Sequence, residues 1–124
     1  MNFDRRDEEK YVVVTSNVEK LDSTNAPDLK AVLTLVHKEG NNNIIVDLSA
    51  SKYCDSSGLS ALLVGNRLCK DTNGSFIICG IQAAVLKMIE ISRLDSVLSL
   101  TPTFPEAEDL LFMEEVERNL SENN

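Results

Sequence analysis

Two short apolar runs constrain this chain more than any other feature. Ile44-Ile45-Val46-Asp47-Leu48 is broken by one polar residue, and Phe76-Ile77-Ile78-Cys79 by none. A strand whose two alternating faces are both apolar must be covered on both sides, as in a parallel sheet packed between helices. The segments around these runs fit that demand. Leu29, Val32, Leu33 and Val36 follow the i, i+3, i+4, i+7 spacing of a helix with one buried stripe. Pro27 stands where a first-turn proline is tolerated, and Gly40 with three asparagines ends the helix. From Gly58 to Leu68 the apolar residues fall almost all round, which marks a largely buried helix.

The remaining elements are shorter. Tyr11-Val12-Val13-Val14 reads as a strand, and Val18 to Leu21 as a brief partner strand after a turn at Asn17. Ser49 to Cys54 reads as a connecting loop, and Asn73-Gly74 as a turn. Gly80 leads to a helix carrying Val85, Met88 and Ile89, and Val97 to Leu100 is a short strand. Thr103 and Glu106 form a capping-box pattern around Pro105, opening a last helix through Leu110, Leu111 and Met113 towards Leu120. The expectation is a single α/β domain over residues 10–120. It has a mostly parallel four- to five-stranded sheet, one antiparallel edge pair from the N-terminus, and about four helices. Residues 1–9 are polar and mixed in charge, so they are expected to be flexible, as is the tail 121–124.

Charge excludes some functions. The chain of 124 residues has 12 basic and 20 acidic side chains, a net charge of −8. That opposes a nucleic-acid surface or a polybasic membrane patch, and suits a partner with a basic face. Cys54, Cys69 and Cys79 are odd in number, lack CxxC spacing and lie in apolar settings. Buried free thiols in a reducing compartment are expected. The charged first residues do not resemble a secretory leader, and no run approaches a membrane span, so the expected location is cytoplasmic.

The candidate site is Asp55-Ser56-Ser57-Gly58-Leu59, between the strand and the buried helix. A helix start has N–H groups without intrahelical partners and a dipole that favours negative charge. Asp55 or Ser56 can cap it, Ser57 falls in the first turn, and Gly58 leaves the backbone open to close approach. A phosphate on Ser57 would add about 1.5 to 2 negative charges at pH 7. It would join Asp55, with Asp22 and Asp47 before loops expected at the same end of the sheet. The same tetrapeptide also reads as plain helix capping, and spacing does not separate the two.

This corner, with Leu21-Asp22-Ser23-Thr24-Asn25-Ala26 before the earlier helix, resembles the STAS domain family, and within it bacterial anti-sigma factor antagonists. The resemblance covers about residues 10 to 117. It implies Ser57 as phosphorylation site, with Asp22, Ser23, Asp55, Ser56, Gly58 and Leu59 forming the partner-binding surface. It further implies a switch. The unphosphorylated domain binds an anti-sigma factor that is also a serine kinase, and a sigma factor is released. Phosphorylation breaks the complex and a PP2C-type phosphatase resets it. The domain is then no enzyme and needs no cofactor or metal; a monomer or weak dimer is expected. Glu19 and Lys20 stand where family members often carry glycine, and Ser60 follows the Gly-Leu pair where many have a small apolar residue or glycine.

Other readings keep the fold without the switch: a structural STAS subunit of a transporter, or a ligand-sensing module. A serine or thiol hydrolase has little support, because His37 is the only histidine and lies near a helix end. No GxxxxGK[ST] or GxGxxG loop occurs. Asp22, Asp47 and Asp55 read as solvated loop acids rather than a cation site, and Glu114-Glu115-Val116-Glu117 as a solvated face or a partner contact.

Overall fold

The computed structural model describes residues 1–122. In chain order the strands are β1 (Phe3–Asp7), β2 (Val12–Ser16), β3 (Lys20–Leu21), β4 (Ile44–Asp47), β5 (Tyr53–Cys54), β6 (Phe76–Cys79) and β7 (Ser99–Thr101). The helices are α1 (Ala26–Lys38), α2 (Ser56–Asp71), α3 (Ala83–Ile91) and α4 (Phe104–Glu122). Five strands form one sheet in the order β1-β2-β4-β6-β7; β1 and β2 are antiparallel and every other pair is parallel. β3 and β5 form a separate parallel ribbon.

The pleat divides the core as the apolar runs require. Val12, Val14, Ile44, Val46, Phe76 and Ile78 point to one face and pack with α1, α2 and α3. Tyr11, Val13, Ile45, Ile77 and Cys79 point to the other, where Ala107 and Leu111 of α4 cover them. Each fully buried leucine or isoleucine contributes about 1.5–3 kcal/mol relative to exposure. α2 lies very close to the sheet: a Cβ at Gly65 would stand 2.5 Å from Cε1 of Phe76. That approach needs a residue without a side chain.

Four expectations are corrected. The N-terminus is not loose over residues 1–9, because Phe3–Asp7 is an edge strand. Its backbone pairs with β2, Phe3 is buried, and Arg5 bridges to Glu39 at the end of α1. The antiparallel partner of β2 is therefore β1, not Val18–Leu21; Lys20–Leu21 pairs instead with Tyr53–Cys54, inside the expected loop. α4 continues through Ser121 and Glu122, which the expected loose tail included; the rest of that tail lies outside the described residues. Glu114 is not simply solvated, since it accepts a hydrogen bond from the buried Ser75 hydroxyl (2.6 Å), to which Arg118 also donates (2.9 Å).

Candidate functional site

The β3–β5 ribbon is only two residues long in each strand, yet it places two helix entrances side by side. Leu21 is in register with Cys54. The Glu19 carbonyl accepts from the N–H groups of Lys52 and Tyr53 (2.8 and 3.1 Å), and the Leu21 carbonyl accepts from Asp55 N–H (3.1 Å). The next residues, Asp22 and Asp55, begin the turns into α1 and α2.

Each aspartate is used by its own turn. Asp55 is the N-cap of α2 in extended backbone, and its Oδ1 accepts from Ser57 N–H (2.9 Å) and Gly58 N–H (3.1 Å). Asp22 Oδ1 accepts from Thr24 N–H (3.0 Å) and the Thr24 hydroxyl (2.6 Å). These bonds, the hydroxyl's first, hold the Asp22 carboxyl below its ordinary range. Asn25, the N-cap of α1, turns its side chain back to the ribbon. It accepts from Asp22 N–H (3.0 Å) and donates to the Lys20 carbonyl (2.8 Å). Asp47 likewise serves its own turn, accepting from Ser49 N–H and hydroxyl. No group of three or more potential metal-ligating side chains comes together among the described residues.

Ser57 lies in the first turn of α2, half-buried, where it lines an open cleft of about 450 Å³ between α1 and α2. Ser56, Ser57, Ser60 and Ala61 form the α2 wall; Ser23, Ala26, Pro27 and Lys30 form the wall at α1. Ser23 and Ser56 thus line the same cleft as Ser57. Asp22 and Asp55 do not line the cleft, so its walls carry hydroxyls and one lysine rather than an acidic rim.

Gly58 and Leu59 depart from their expected roles. Both are buried. A Cβ on Gly58 would lie 2.6 Å from Cys54 Sγ and 2.8 Å from both Cγ and the carbonyl oxygen of Leu21. The glycine lets α2 sit down on the ribbon; it does not open the backbone to a phosphate. Leu59 packs in the main core. Lys30 was not singled out from the sequence, because its place beside Ser57 depends on the pairing of two short strands. The available signal was that both helices follow parallel segments and so begin at one end.

Cys54 sits beneath this corner, and its thiol is pushed up to about 12, by burial first and then by the Asp55 charge. Burial likewise raises Cys69 and Cys79 to about 12. His37 is at the opposite end of α1 from the cleft, 3.0 Å through Nε2 from the Thr72 hydroxyl, and cannot serve Ser57 as a base.

A mixed five-stranded sheet with three helices on one face, one on the other, and a serine at the entrance of α2 defines a small α/β domain. The chain belongs to the STAS domain family, whose model matches residues 5–109. The anti-sigma-B factor antagonist of Staphylococcus aureus is 26% identical over 98 residues, covering 79% of this chain and 90% of that protein. BtrV of Bordetella bronchiseptica is 28% identical over 72 residues, 58% of this chain and 62% of that protein. Among solved structures, a Thermotoga maritima protein superposes with a TM-score of 0.78 at 22% identity, covering 88% of this chain and 93% of that one. The phosphorylated form of SpoIIAA, a Bacillus cell fate determinant, superposes with a TM-score of 0.67 at 22% identity, covering 86% and 96%. Among the described residues no helix is long and apolar enough to cross a membrane.

Proposed function

We propose that this protein is an anti-sigma factor antagonist, working in the cytosol as one domain over residues 10–120 and switched by phosphorylation of Ser57. Unphosphorylated, it binds an anti-sigma factor that is also a serine kinase. In the switching step the γ-phosphoryl group of ATP passes to Ser57 Oγ. The new O–P bond forms as the bond to ADP breaks, and the hydroxyl proton leaves to a base on the kinase. A PP2C-type phosphatase hydrolyses the ester and restores the serine. The domain supplies an acceptor and a docking surface, and catalyses nothing.

The observation that carries this reading is the placement of Ser57: in a first helical turn, half-buried, in the wall of an open cleft. Its N–H and that of Gly58 are already satisfied by Asp55, so the turn is held in place whether or not the hydroxyl is modified. Ser23 and Ser56, on either side, belong to the docking surface, and Asp22 and Asp55 shape it by fixing the two turns. The relatives named as anti-sigma factor antagonists, and a fold relative solved in a phosphorylated form, support the assignment. The test is size-exclusion binding to the anti-sigma factor kinase encoded in the same genome. Wild type and Ser57→Ala should co-elute with it, and Ser57→Asp should not. Co-elution of all three alike would remove the switch.

A further inference from the structure

We infer that Lys30 receives the phosphate placed on Ser57, so that phosphorylation bridges α1 and α2 and fills the cleft between them. This rests on the reading of Ser57 as the phosphorylation site. Of the cleft-lining residues on either helix, Lys30 alone carries a charge. It is exposed and belongs to none of the ion pairs among the described residues, so it is not committed elsewhere. The Ser57 and Gly58 N–H groups already bond to Asp55, so these two donors of the first turn are committed to the cap.

The geometry comes from the ribbon. With Leu21 and Cys54 in register, α1 opens five residues after one strand and α2 two residues after the other, and Ala26 and Ser56 line the same cleft. Lys30 is one turn further along α1, about 6 Å deeper. Helical side chains tilt towards the N-terminus, so the long Lys30 chain leans back over the preceding turn, towards the start of the cleft that it lines together with Ser57. A serine hydroxyl gives the ammonium group little to hold. A phosphate dianion is a strong, charge-assisted acceptor for an ammonium group. The proposed consequence is that the phosphorylated form is more than a repulsive one: its docking cleft is occupied by an internal bridge.

The experiment places phosphoserine at position 57 during synthesis, by genetic encoding, so it does not depend on any kinase. The second phosphate ionisation is followed by ³¹P NMR between pH 4 and 8. Asp55, just outside the cleft, raises this ionisation equally in every variant. Lys30 should lower it by about half a pH unit, the size an exposed ion pair supports. Lys30→Gln should remove that lowering, and Lys30→Arg should keep it. Identical titrations in wild type and Lys30→Gln overturn the bridge. Absence of kinase labelling at Ser57 would instead remove the underlying assignment, which this titration does not touch.

Discussion

Leu21 and Cys54 are register partners in a parallel ribbon of two residues per strand, and that single pairing sets the entrances of α1 and α2 beside each other. The serine corner is made by this juxtaposition. The main sheet supplies the platform, but the ribbon decides which side chains share the cleft.

Gly58 is where the ribbon and α2 meet most closely. Gly58→Ala should destabilise the fold by about 1–3 kcal/mol, the usual cost of forcing extra volume into a packed site. The nearest atoms include the Leu21 carbonyl oxygen, which cannot rotate away as a side chain could. Urea unfolding monitored by circular dichroism measures this. An unchanged midpoint would mean that α2 does not rest on the ribbon as described.

Asp55 anchors the turn that carries Ser57. Asp55→Ala removes the acceptor for two N–H groups and should cost about 1 kcal/mol, as capping losses do. Asp55→Asn keeps an acceptor and should lose much less. Equal losses in the two variants would place the role of Asp55 in its charge rather than in the cap.

The sequence was legible where a pattern sufficed. β4 and β6 announced themselves by apolarity on both faces, and α1 by its stripe of Leu29, Leu33 and Val36. β1 was not legible: Phe-Asp-Arg-Arg-Asp has no apolar alternation, because an edge strand can be held by backbone pairing while its side chains face water. β5 was too short to leave a period. Ser57 was singled out by its motif as the candidate phosphorylation site, whereas Gly58 was read as an opening and is a packing contact. Lys30 needed two turns 33 residues apart in sequence to be brought together through Leu21 and Cys54, and no local pattern carries that information.

Asp22 provides a pH test of the neighbouring turn. Its folded ionisation lies below the ordinary carboxylate value, with the Thr24 hydroxyl the largest cause. A carboxyl of this kind stabilises the fold above its unfolded value, and the contribution is lost as pH falls through the folded one. Thr24→Val removes that hydroxyl and leaves the backbone donor. Carboxyl NMR titration should then find Asp22 moved back towards the ordinary range. A titration identical to wild type would show that the hydroxyl has no hold on it.

The three thiols should be quiet in the folded protein. With Cys54, Cys69 and Cys79 each pushed up to about 12, the reactive thiolate is scarce at neutral pH. Iodoacetamide at pH 7.5 should label all three in denaturant and none of them rapidly in the native state. Rapid native labelling of Cys54 would contradict its place beneath Gly58.

The central claim concerns one hydroxyl, and the most direct measurement is where a phosphate goes. The purified protein is incubated with ATP and the anti-sigma factor kinase from the same genome, and the product is mapped by tandem mass spectrometry. The account predicts a single added phosphate at Ser57 and none on Ser57→Ala. A phosphate on Ser23, Ser56 or Ser60, or undiminished labelling of Ser57→Ala, would contradict it.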